Sequence, residues 1–134
     1  MAGYSGKSLA QKLGIKLAMS VVTINEPPNY RKLVGGKVNF SKRPTDGCDF
    51  VHVFATRRSE LQTQLHRLRG KIADSGTIWV SWPKKSARVP TDVTEDAIRE
   101  SALPLGFVDV KVCAVDETWS GLKLMIRREQ RKSS

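Results

Sequence analysis

Two short stretches of this chain are apolar almost without a break. Residues 50–55 read FVHVFA and residues 76–82 read GTIWVSW. A strand with one wet face alternates apolar and polar residues, whereas a strand covered on both faces does not. Each stretch therefore asks for a layer of structure on both sides. The segment between them supplies part of one layer. Leu61, Leu65 and Leu68 recur at i, i+4 and i+7, which gives a helix one apolar stripe. Ser59 and Gln62 have capping-box spacing at its start, and Gly70 is placed to stop it. Strand, helix and strand in this order make a parallel crossover unit, so the expected architecture is a mostly parallel sheet between helices.

The flanking segments extend the same alternation. Residues 8–13 read as a short helix stopped by Gly14, and residues 19–25 (MSVVTIN) as a strand ended by Pro27 and Pro28. One or two helical turns fit residues 29–34, and a weak strand fits 38–40. A third helix follows Asp92, whose spacing to Glu95 resembles a cap, and Pro104 stops it. Two alternating runs close the chain. In 107–115, Val108, Val110, Val112 and Ala114 are expected on one face, with Asp109 and Lys111 on the other. In 122–127, Leu122, Leu124 and Ile126 oppose Lys123, Met125 and Arg127, with Ser120 and Gly121 read as the turn before them. Together they predict an antiparallel hairpin. At 134 residues the chain makes one α/β domain, 1–134, with 1–7 and 129–134 expected as flexible ends.

Composition excludes some classes and leaves others open. No stretch reaches the roughly 18 apolar residues of a membrane span, and residues 1–14 lack a signal-peptide core. A cytoplasmic protein with no membrane partner is the expectation. Cys48 and Cys113 are the only cysteines and form no metal knuckle or disulfide framework. Lys and Arg number 23 against 13 acids, a net charge of +10. Residues 1–67 hold 11 of the bases and 4 of the acids. Such a balance favours anionic partners through steering and counterion release.

Two resemblances carry further expectations. The segment DFVHVFATRRSELQTQLHRLRGKIADSGTIWVS, with the closing hairpin, resembles the Rossmann-like shell of S-adenosylmethionine methyltransferases. The strings AGYSGKSLAQKLGIK, WVSWPKK, VPTDVTEDAIRE and GFVDVKVCAVDETWSGLKLMIRRE resemble a bacterial family known as domain of unknown function 3052. The first implies a three-layer, mostly parallel sheet with a C-terminal antiparallel hairpin and spatial strand order 2-1-3-4-6-5. The second implies a small bacterial protein and no activity.

Chemistry argues against the activity the shell would imply. A methyltransferase needs a glycine-rich turn after its first strand and an acid near the end of its second, to hold ribose hydroxyls. Here the turn reads Asn25-Glu26-Pro27-Pro28-Asn29-Tyr30, and the second strand ends in Ser41, Lys42 and Arg43. No cofactor is expected. Gly3 to Ser8 mimics a phosphate loop but lacks its first glycine and its preceding strand. His52, inside a buried strand, reads as a satisfied core residue, and His66 as solvated.

One constellation remains. Ligands of open parallel sheets bind beyond the carboxyl ends of the strands. The residues found there are Asn25 and Glu26, then Thr56, Arg57 and Arg58, then Trp82, Lys84, Lys85 and Arg88, and finally Asp116, Glu117 and Trp119. The set is basic and aromatic, as suits an anionic ligand with a flat apolar part. The leading expectation is a non-enzymatic ligand-binding or interaction module with an anionic partner, such as a small molecule, at this edge. Sequence-independent nucleic-acid binding through the basic surface is the second, and a protein partner is also compatible. A small enzyme pairing Asp116 or Glu117 with Lys84 or Lys85 is the third.

Overall fold

The computed structural model describes residues 8–131; the expectations for 1–7, including the phosphate-loop lookalike, and for 132–134 lie outside the described residues. Six strands form one sheet: β1 (Ser20–Ile24), β2 (Asn39–Ser41), β3 (Cys48–Phe54), β4 (Ile72–Pro83), β5 (Phe107–Ala114) and β6 (Trp119–Ile126). Their spatial order is β2-β1-β3-β4-β6-β5. The first four pair in parallel, and β6 is antiparallel to both β4 and β5. This is the order and hairpin that the resemblance implied.

The apolar runs are buried because helices sit on both faces. Helices α3 (Arg58–Arg69) and α4 (Glu95–Ala102) cover one face, where Leu61, Leu65, Leu68 and Ile98 meet Val51, Val53, Ile78, Val80, Leu122 and Leu124. Helices α1 (Leu9–Leu13) and α2 (Tyr30–Val34) cover the other, against Val21, Phe50, Phe54 and Trp79. Trp79 is fully buried and donates its indole N–H to the Leu13 carbonyl at 2.9 Å, which ties α1 to the sheet. Ser8 and Gln11 form a complete capping box on α1, and Gly14 ends it at φ 81°.

Four local expectations change. Helix α3 starts at Arg58, so Ser59 and Gln62 do not form its cap; the carboxylate of Asp92 accepts from the Arg58 amide at 2.8 Å instead. Asp92 is thus the cap of the helix before it in sequence. Thr94, not Asp92, caps α4 through the Ala97 amide. Gly121 lies inside β6 rather than in a turn, opposite Ser81, where a Cβ would come within 3.2 Å of the Trp79 ring. The valines of β5 do not share one core face. A bulge between Asp109 and Lys111 shifts the register, so Val108 faces Met125 and Val112 faces Leu122, on opposite sides of the sheet. As β5 is the edge strand, Val108, Val110 and Val112 stay 37–48% exposed. The expected flexible end from 129 opens with a 3-10 turn, Arg128–Gln130.

Candidate functional site

The crossover topology brings the carboxyl ends of β1, β3, β4 and β5 to one edge, as every parallel crossover must. Hydrogen bonds join the loops there. The Lys84 amide donates to the Thr118 carbonyl at 2.8 Å, linking the end of β4 to the β5–β6 loop. The Thr91 hydroxyl donates to the Thr56 carbonyl at 2.7 Å, linking the end of β3 to the entry of α4. The predicted residues therefore share an edge, but their side chains divide among separate tasks.

Asn25 and Glu26 line a cleft of about 300 Å³ with Thr23, Ile24 and Lys42. Asn25 turns the chain at φ 58°, a left-handed conformation that asparagine tolerates. The Glu26 carboxylate accepts from the Thr23 hydroxyl at 2.7 Å and pairs with Arg31 at 3.1 Å. Burial alone would raise its pKa. The hydrogen bonds from Arg31 and Thr23, with the charges of Arg31 and Lys42, outweigh that and hold it below the usual carboxylate range.

Trp82, Lys84 and Lys85 line a second and larger cleft of about 760 Å³. Its other wall comes from Val89, Thr91, Val93 and the first turn of α4, Thr94 to Asp96. Trp82 and Trp119 are not partners. Trp82 packs toward the α3–α4 face, while Trp119 lies edge-on to Phe54 on the α1–α2 face, with ring centroids 5.0 Å apart.

The remaining predicted residues have structural roles or stand free of both clefts. Arg58 donates through Nε to the Asp92 carbonyl at 3.0 Å. Arg57 is exposed at the extended position preceding α3. Arg88 closes a 3-10 turn at φ 55°. The Asp116 carboxylate accepts from the amides of Thr118 and Trp119, both at 2.8 Å, so it stabilises its own turn. Glu117 is exposed, and among the described residues neither Asp116 nor Glu117 forms an ion pair with Lys84 or Lys85.

Sequence reasoning missed most of the second cleft's far wall. Val89 and Val93 stand in a stretch without regular periodicity, and only the return of α4 to the end of β4 makes them a wall. The line through Tyr30, His52 and Ser81 was also only partly visible. The Tyr30 hydroxyl lies 2.8 Å from His52 Nδ1, and His52 Nε2 lies 2.7 Å from the Ser81 hydroxyl. All three residues are fully buried. A neutral imidazole offers one donor and one acceptor, which satisfies both neighbours at once. Burial pushes the His52 pKa down to about 3 and that of the Tyr30 phenol up. The group has the residue types of a relay, yet substrate has no access to it. His66 is exposed. Cys48 and Cys113 are half-buried free thiols, with pKa values raised by burial. Among the described residues, no group of three His, Cys, Asp or Glu side chains could hold a metal, and no helix is long and apolar enough to cross a membrane.

The sheet order, the helices on both faces and the antiparallel closing strand place the chain on the methyltransferase-like Rossmann fold. It is similar to an S-adenosylmethionine-dependent methyltransferase from Aquifex aeolicus, with 19% identity, TM-score 0.67, and coverage of 93% of this chain and 91% of that one. It is similar also to a Sulfolobus solfataricus protein assigned to the type 11 methyltransferases, at 13% identity, TM-score 0.65, and coverage of 97% and 96%. Fibrillarin from Aeropyrum pernix, solved with natively bound S-adenosyl-L-methionine, matches at 8% identity and TM-score 0.53, over 92% of this chain and 70% of that one. No curated protein matches. The chain belongs to the family described as protein of unknown function DUF3052, whose model matches residues 37–128.

The residues at the end of β1 do not fit the cofactor of those neighbours. Pro27 and Pro28 offer no N–H to a ligand. Glu26 is already held by Thr23 and Arg31. Lys42 stands in the cleft at the end of β2, where a ribose needs an acceptor.

Proposed function

We propose that this protein is a non-enzymatic binding module for an anionic small molecule, seated in the cleft between the end of β4 and the start of α4. The carrying observation is the composition of that cleft. One wall carries Trp82, Lys84 and Lys85, and the other adds Val89 and Val93. Its volume of about 760 Å³ is in the range of small-molecule sites. An indole takes up a flat or apolar ligand part, and lysines neutralise a phosphate or carboxylate. Glu95 and Asp96 border the same cleft, but both pair with Arg99, which also binds Asp109. The one guanidinium offsets part of the charge of these three carboxylates, and Lys84 and Lys85 face the remainder across the cleft.

A binding role is supported over catalysis by the state of the acids and bases. Asp116 is held by two backbone amides, and His52 is buried and neutral. The test is a thermal-shift titration with adenosine monophosphate, a sugar phosphate and inorganic phosphate at low and moderate salt. Ligand binding confined to the folded state raises Tm. The expected result is a shift with at least one organic phosphate that the Lys84→Glu, Lys85→Glu double change removes. Without ligand, that change should leave Tm nearly unaltered, because neither side chain forms an ion pair. A shift that survives the double change would move the ligand elsewhere.

A further inference from the structure

Between positions 12 and 43 the chain carries seven lysines and arginines and a single acid, Glu26. The rest of the described chain is almost balanced, with 14 bases and 12 acids. Glu26 is itself consumed by Arg31. The excess charge of the protein is therefore concentrated in about a quarter of its length.

The fold gathers this segment along one flank. β2 is an outer strand of the sheet with β1 as its one neighbour, so one row of its N–H and C=O groups faces outward. Lys37 lies just before β2, while Lys42 and Arg43 follow it directly, and all three are exposed. At about 3.3 Å per residue, Lys37 and Lys42 stand about 16 Å apart along the edge. Helix α2 rests on the same strand. Tyr30 meets Phe40 edge-on at 6.2 Å, and the Arg31 guanidinium lies 5.0 Å from the Phe40 ring centre. The exposed Lys32 of α2 thus belongs to this flank. The turn carrying Lys16 joins it too, because the Ala18 amide donates to the Lys37 carbonyl at 2.7 Å. Among the described residues, none of Lys16, Lys32, Lys37, Lys42 and Arg43 forms an ion pair. Elsewhere only Lys71 and Arg99 form ion pairs among the described residues, but nearly as many acids as bases accompany the cations there.

Clustered unpaired cations repel one another and add nothing to the stability of the fold. They do supply what a polyanion needs. We propose that the β2–α2 flank is a docking surface for the phosphate backbone of a nucleic acid, bound without regard to sequence. A compact anion would meet one or two of these side chains, whereas a polymer of regularly spaced phosphates can meet the whole row. Between Lys37 and Lys42, β2 presents exposed Asn39 and Ser41, hydrogen-bonded to the Ala18 carbonyl and the Arg43 backbone, a polar strip that does not suit acyl chains.

The proposal is tested by fluorescence anisotropy with a labelled single-stranded RNA of about 20 nucleotides. Three or four phosphate contacts to a single strand predict that affinity falls roughly 20- to 50-fold between 50 and 200 mM salt. The triple change Lys32→Gln, Lys37→Gln, Lys42→Gln should weaken binding at least tenfold at low salt and flatten the salt dependence. A matched change elsewhere, Arg67→Gln, Arg127→Gln, Arg128→Gln, should cost less than about threefold. All six side chains are exposed, so both variants should keep the wild-type Tm. Equal losses in the two variants, binding that ignores salt, or a preference for phosphatidylserine vesicles over the RNA would overturn it. Neither variant alters Lys84 or Lys85, so the response to organic phosphates reads the β4–α4 cleft independently.

Discussion

His52 occupies the middle of β3 with hydrogen-bond partners on both ring nitrogens and no exposure. Protonating it would place a charge in the core with no acid to answer it, which is why its pKa falls to about 3. The consequence for stability has a definite sign. The unfolded chain binds a proton near pH 6.5 and the folded chain only near 3, so stability from this residue is full above pH 6.5 and is lost between those values as acid is added. The loss is on the order of 5 kcal/mol at the acid end. Urea unfolding at pH 7, 5.5 and 4.5 should show this decline, and His52→Gln should lack that component. A wild-type and variant difference that does not change with pH would show that His52 titrates normally. The same residue shows the limit of reading sequence. Its place in an apolar run marks it as core, but Tyr30 and Ser81 lie 22 and 29 residues away, and nothing local points to them.

At the scale of elements, burial and capping behave differently. The apolar runs and the leucine stripe became β3, β4 and α3 because periodicity reports directly which faces meet the core. Val80 is fully buried between β3 and β6, so Val80→Asp should abolish cooperative unfolding, as judged by circular dichroism on heating. A soluble variant with a sharp transition would refute its position. Caps were less legible. Asp92 looks like the cap of α4 by spacing, yet its carboxylate serves α3 across 34 residues. Asp92→Ala should cost about 1 kcal/mol, measured by urea unfolding, because the Arg58 amide loses its carboxylate acceptor while the Arg58 side chain keeps the Asp92 carbonyl. The bulge in β5 was invisible for a similar reason. Alternation in 107–115 predicts faces only while register holds, and pairing with β6 inserts one extra residue.

On the scale of the whole molecule, the fold carries a methyltransferase-like sheet in which the turn after β1 holds two prolines and no glycine. Thr23 and Arg31 both bond to the Glu26 carboxylate there, which leaves it committed to its own neighbours. S-adenosylmethionine should therefore give no thermal shift at concentrations that saturate an ordinary methyltransferase; a clear shift would show that the Glu26 cluster opens. The charge distribution is also a property of the whole. Its excess is written in the sequence as the acid-poor stretch 12–43, but whether those cations face one way depends on β2 taking the edge of the sheet.

The sequence by itself determined the alternation of elements, the doubly covered middle strands and the set of residues at the strand ends, because each follows from local periodicity or from the rule that parallel crossovers bring those ends to one side. The tertiary structure decided which of those residues share a cavity. Twelve candidates on one edge resolve into two clefts, a group of struts and exposed residues such as Arg57 and Glu117, because side-chain direction alternates along each strand and depends on register. Trp82 and Trp119, on neighbouring antiparallel strands, consequently point to opposite faces, and only one of them can meet the ligand proposed for the β4–α4 cleft.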